Sequence, residues 1–152
     1  MLTYTTCSEA GGVGKTTLAA NLADAHTQQG RNVLVIDLDP QQASLTYLLN
    51  IPAPRDDGEA DNIARHLIDQ PEGDFSDLIY NTSYGFDVLP SHGMLEMLPR
   101  MLTKAETMAD NLNQDFEPNL RLRRVLSEAN IAEQYDTLII DPSPTAGPRL
   151  YN

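Results

Sequence analysis

The sequence predicts an α/β fold, a mostly parallel twisted sheet with helices on both faces, and three observations predict it. Residues 2–7 read as a buried strand that runs into a glycine-rich loop and then into a helical segment. Residues 32–37, Asn-Val-Leu-Val-Ile-Asp, are a short apolar run ending in a carboxylate, the pattern of a strand buried on both faces of a parallel sheet. Residues 137–141, Thr-Leu-Ile-Ile-Asp, repeat that design. Strand, helix and strand within about 35 residues make a βαβ unit.

Between the first two strands, residues 16–29 carry Leu18, Ala19, Leu22, Ala23 and Ala25 at helical spacing, with Gly30 where a C-terminal cap belongs. Residues 44–49 are expected to form a short helix capped by Ser44. Residues 52–61, rich in proline, aspartate and glycine, read as a loop. Another short helix is expected over 63–68, a brief strand over 78–80 and a better one over 86–89, ending at Pro90. Residues 94–112 are helical by pattern, with Met94, Leu98, Met101 and Leu102 on one face, and residues 120–129 make a further helix.

At 152 residues the chain suits one domain with a real core rather than two. Its 22 acidic against 10 basic residues give a net charge of −12. Such a surface repels bare nucleic acid and anionic membrane, and its self-repulsion is relieved by salt. The balance points to a halophilic source, with an ordinary acidic cytosolic protein as the alternative. Cys7 is the one cysteine, which excludes an intrachain disulfide and a cysteine metal cluster; it is expected as a small core residue at a strand end. No apolar run approaches about 18 residues, and no basic region precedes an apolar core at the N-terminus. A cytoplasmic location without membrane association is expected.

The chemistry-bearing stretch is Cys7-Ser8-Glu9-Ala10-Gly11-Gly12-Val13-Gly14-Lys15-Thr16-Thr17. Glycines let successive backbone N–H groups turn in on an anion, and the helix start adds the positive end of its dipole. In such a loop Lys15 reaches the β- and γ-phosphates and the Thr16 hydroxyl ligates Mg²⁺. The strict pattern needs glycine at position 9, where this chain has Glu9, so the loop is a variant. Asp37-Leu38-Asp39-Pro40-Gln41 leaves one apolar strand, and Asp141 ends another. A strand-end aspartate supplies the carboxylate that holds Mg²⁺ beside a nucleotide, directly or through water.

Residues 10–17, 33–41, 88–91 and 135–141, in this order, resemble the deviant-Walker ATPases of the ParA/MinD/Soj type, above all the ParA and Soj partition ATPases. The resemblance implies that 1–152 is one domain, the N-terminal part of a ParA-like P-loop ATPase whose sheet lacks its last strands. It implies an ATP site in which Gly11, Gly12, Val13, Gly14, Lys15, Thr16 and Thr17 bind the phosphates and Thr16 and Asp141 serve Mg²⁺. Asp37 is a further metal candidate, although it also reads as a structural carboxylate held by the phosphate loop. Asp39 positions the attacking water, with Lys15 beside it as a catalytic cation, and residues 142–145 correspond to a second switch. Family members act as nucleotide-switched homodimers that bind DNA non-specifically with ATP and hydrolyse it when a ParB-like partner stimulates them. Two departures stand out. Ala10 occupies the place of the family's signature lysine, and family members run about a hundred residues longer. A non-catalytic remnant that binds nucleotide weakly or associates with a longer relative, and a MinD-like positioning ATPase, stay open as alternatives.

Other features carry bland readings beside sharp ones. His26, His66 and His92 lie in unrelated segments without ligand spacing. Met94, Met97 and Met101 read as helix core. Arg121, Arg123 and Arg124, the one basic cluster, read as a solvated helix face rather than a DNA contact.

Overall fold

The computed structural model describes residues 1–7, 13–41, 44–52 and 60–143. Its sheet has five strands, β1 (Leu2–Thr5), β2 (Val33–Leu38), β3 (Tyr80–Asn81), β4 (Asp87–Leu89) and β5 (Thr137–Pro142). They lie in the order β1-β5-β2-β4-β3, all parallel except the β3–β4 pair. The apolar runs at 32–37 and 137–141 form β2 and β5, two of the three inner strands, and every residue of both is buried.

Side chains alternate across the sheet with period two, which divides the core into two layers. On one face Val33, Val35, Val88 and Ile139 pack against Ala19 and Ala23 of helix α1 (Lys15–Gln28) and Leu45 of helix α2 (Leu45–Leu48). On the other, Leu34, Ile36, Leu89, Leu138 and Ile140 meet helices α3 (Ile63–Leu67), α4 (Leu98–Asn111), α5 (Arg121–Glu128) and α6 (Ile131–Gln134). The α1 end agrees with the predicted cap: Gly30 sits at φ 78° and donates its N–H to the Thr27 carbonyl at 2.8 Å. Short 3-10 segments precede β3, α4 and α5, at Phe75–Leu78, Gly93–Met97 and Pro118–Leu120. Thus α4 starts at Leu98, four residues after the predicted Met94. No helix among the described residues is long and apolar enough to cross a membrane.

Four expectations are corrected, the first being Met97, read as helix core but 57% exposed at the end of the 3-10 segment before α4. The first strand was expected to be buried, but β1 is an edge strand whose four residues are all exposed, because among the described residues only β5 pairs with it. Cys7, just beyond it, is exposed rather than in the core. Arg121 is not on a solvated face: it is 2% exposed. Its guanidinium donates to the carbonyls of Leu67 at 3.0 Å and His66 at 3.2 Å and to Asp69 at 2.9 Å, and it covers the Phe116 ring. It thereby closes the C-terminal end of α3, where helix geometry leaves carbonyls without partners. Most of the loop predicted over 52–61 lies outside the described residues.

Candidate functional site

Parallel pairing with Asp37 opposite Asp141 brings the carboxyl ends of β2 and β5 together. This is the sheet edge where open α/β folds bind ligands. Lys15 opens α1, and Gly14 before it adopts φ 89°, a conformation that glycine reaches without strain. Thr16 and Thr17 lie in the first helical turn, whose backbone N–H groups lack intrahelical partners, and Val13 is exposed. Gly11 and Gly12, with Glu9 and Ala10, lie outside the described residues, as do 144 and 145 of the expected second switch.

The three aspartates at this edge have different surroundings. Asp141 is 1% exposed. Its Oδ1 accepts the Thr6 hydroxyl at 2.8 Å, and its buried Oδ2 has no hydrogen-bond partner among the described residues. A buried carboxylate oxygen without a donor is costly unless a cation or water serves it. A carboxylate oxygen so placed is the kind of donor that Mg²⁺ takes beside phosphates.

Asp39 is half-buried. Burial pushes its carboxyl above the ordinary value, the Gln41 N–H pulls it down, the Asp141 charge pushes it up and the Lys15 charge pulls it down. Asp39 therefore lies within electrostatic range of both Asp141 and Lys15. Asp37 is fully buried, and desolvation raises it from 3.8 to about 6 against the hydrogen bonds that favour its ionised form. Both its oxygens are engaged. Oδ2 accepts the Thr46 N–H at 2.7 Å and the Thr46 hydroxyl at 2.6 Å, while Oδ1 accepts the Asp39 N–H at 3.1 Å. So α2 is capped from outside. Ser44 occupies the predicted N-cap position but makes no capping bond, and the carboxylate of Asp37 takes its place.

Two residues to which the sequence reading gave no role join this cluster. Thr46 and Ser91 are buried, the second just past the end of β4. Ser91 follows a strand-end proline, which is a weak signal; Thr46, a lone threonine in a short helix, gives none. One groove lies away from this edge, between β1 and α5, lined by Thr3, Thr5, Leu122, Leu126 and Ile140.

The AAA domain family matches residues 3–152. The chain is 34% identical over 149 residues to the virulence plasmid ParA family protein of Chlamydia psittaci, covering 97% of this chain and 50% of that protein. Among solved structures it is similar to cobyrinic acid a,c-diamide synthase of Mycobacterium smegmatis with bound ADP and magnesium (TM-score 0.75, 28% identity, 95% of this chain and 52% of that one). It is also similar to a plasmid partition protein of Borrelia burgdorferi bound to AMPPNP (TM-score 0.68, 26% identity, 95% and 54%). The chain thus spans about half the length of these relatives. A P-loop α/β sheet with carboxylates gathered at its carboxyl edge, and a family match over nearly the full sequence, place this chain in the AAA domain family of ParA/MinD-like proteins.

Proposed function

We propose that this chain binds Mg-ATP at the carboxyl edge of β2 and β5 and hydrolyses it as a nucleotide-switched partition-type ATPase. The observation that carries the reading is the placing there of Asp39 within electrostatic range of Lys15 and Asp141, with one buried oxygen of Asp141 left without a donor among the described residues. The relatives support it, since the M. smegmatis synthase holds ADP and magnesium and the B. burgdorferi protein holds AMPPNP.

In this reading Gly11, Gly12, Val13 and Gly14 supply backbone N–H groups to the phosphates, and Thr16 and Thr17 add theirs from the positive end of α1. The Lys15 ammonium offsets charge on the β- and γ-phosphates as the bond to the leaving group lengthens. Thr16 and Asp141 hold Mg²⁺, which when bound neutralises phosphate oxygens. Asp37 stands outside that set because its oxygens are already taken by Thr46 and Asp39. Asp39 orients water with a carboxylate that burial makes a better proton acceptor. The resemblance to partition ATPases extends the proposal to a homodimer, a ParB-like partner, non-specific DNA in the ATP state and a cytoplasmic location. The test is ATP turnover with Mg²⁺ in high salt. Asp39→Ala is expected to lower it by about 100-fold, the lower range for a lost general base. Equal rates in wild type and variant defeat the catalytic claim.

Ala10 favours a second reading. Without an ammonium at that position the chain has one cation fewer for the transition state, which suits a protein that binds nucleotide and does not turn it over. Titration of a fluorescent ATP analogue separates the two: weak binding that Lys15→Ala abolishes, with no Asp39-dependent turnover, supports the second.

A further inference from the structure

The hydrogen bonds around Asp37 form a closed circuit through Asp39. The Asp39 N–H donates to Asp37 Oδ1 at 3.1 Å, and Asp37 Oδ2 accepts the Thr46 hydroxyl at 2.6 Å. The oxygen of that hydroxyl accepts the Ser91 N–H at 2.8 Å, and the Ser91 hydroxyl donates to the Asp39 carbonyl at 2.6 Å. The circuit ties the ends of β2 and β4 to the start of α2, and its three supporting residues, Asp37, Thr46 and Ser91, are each no more than 2% exposed.

We infer that Thr46 and Ser91 are positioning residues for Asp39, whose two flanking peptide groups they grip through, and together with, Asp37. Fixing the N–H on one side of the Asp39 Cα and the carbonyl on the other fixes the direction of its Cα–Cβ bond, and the Gln41 N–H on Asp39 Oδ1 at 3.1 Å then sets the carboxylate beyond it. Without the circuit Asp39 would head an irregular segment, since Pro40 and Gln41 belong to no strand or helix. The circuit pays the ordering entropy at folding instead of at binding. The requirement on Thr46 is specific. Its hydroxyl must donate to Asp37 and accept from Ser91 in the same arrangement, which serine can do and valine, of nearly the same shape, cannot.

The inference rests on the proposed role of Asp39, and the experiment separates the two. Backbone amide exchange of the protein is followed by NMR in wild type, Thr46→Val, Thr46→Ser, Ser91→Ala and Ser91→Thr, alongside ATP turnover. Exchange at the Asp39 amide is expected to rise at least about tenfold in Thr46→Val and Ser91→Ala, with Val35 and Ile36 inside β2 unchanged and the Ser and Thr variants close to wild type. Turnover is expected to fall on the order of 10–100-fold in kcat with KM held, and Ser91→Ala adds nothing in an Asp39→Ala background. An Asp39 amide that exchanges as in wild type, or a rise spread evenly over β2, overturns the circuit whether or not the protein turns over ATP. Selective loosening of Asp39 with kcat unchanged, in a wild type that shows Asp39-dependent turnover, overturns the positioning role. Absence of such turnover in wild type defeats the ATPase reading and leaves the amide result to decide the circuit. If Thr46→Val does not fold, Ser91→Ala carries the same measurements.

Discussion

Asp37 illustrates how one buried carboxylate can be costly and useful together. Desolvation lifts it from 3.8 to about 6 although Thr46 and Asp39 donate to it. A carboxyl whose folded value lies above its unfolded one favours the fold while protonated. Its contribution is complete below about pH 4 and is lost as pH rises through about 6. The shift corresponds to about 3 kcal/mol at about 1.4 kcal/mol per unit. Urea unfolding of wild type and Asp37→Asn, compared from about pH 7.5 down to about pH 4.5, is therefore expected to move in favour of the wild type by up to that amount. A difference independent of pH would show that Asp37 titrates alike in the folded and unfolded chain. The pairing of a charged residue with a hydroxyl that both donates and accepts is local chemistry of a kind that spacing in the sequence does not announce. Thr46 lies nine residues from Asp37, while Ser91 lies 45 from Thr46 and 52 from Asp39.

At the level of elements, Arg121 joins α5 to α3. Its side chain serves two carbonyls at the end of one helix from the first position of another. Replacing it with methionine keeps much of the volume and leaves the Leu67 carbonyl without its donor, while the His66 carbonyl keeps the Asp69 N–H at 3.3 Å, at about 1–3 kcal/mol for a buried group left unpaired. Arg121→Met is expected to unfold at lower urea concentration by an amount in that range, and Arg121→Lys is expected to recover only part, because an ammonium cannot reproduce the forked guanidinium. Stability equal to wild type in both variants would mean that water serves the Leu67 carbonyl. These elements also show what the sequence does and does not disclose. The strands β2 and β5 were legible because burial on both faces leaves only apolar side chains. The helix α1 was legible because its buried side, Ala19, Ala23 and His26, keeps helical spacing and glycines bound it. The burial of β1 was not, since it depends on what lies beside the strand rather than on Leu-Thr-Tyr-Thr itself. Arg121 misled for a related reason: a charge count cannot see a helix end waiting for a donor. The four-residue α6 was not anticipated; it begins after Asn130 turns through φ 52°. Of the candidate site, the phosphate loop and strand-end aspartates were legible as motifs, and the circuit that steadies one of them was not.

The whole molecule carries a net charge of −12 on 152 residues. Repulsion among those charges weakens as the Debye length shrinks from about 10 Å at 0.1 M salt to about 3 Å at 1 M. The melting temperature in KCl is expected to rise across that range, with most of the gain at the low end, where screening changes fastest. A flat profile by scanning calorimetry would count against charge repulsion as a burden on this fold. Topology adds a constraint of another kind. The first strand pairs with the last, Leu2 opposite Thr137 and Thr5 opposite Ile140, and that last strand sits between β1 and β2. On the ribosome, where chains grow at about 5–20 residues per second, β1 and β2 emerge on the order of ten seconds before the strand that joins them. Because loop closure over such a span must precede the contacts that reward it, the sheet is a late event in folding. The phosphate loop, though made well before β5, has among the described residues no strand beside its own until β5 has been synthesised.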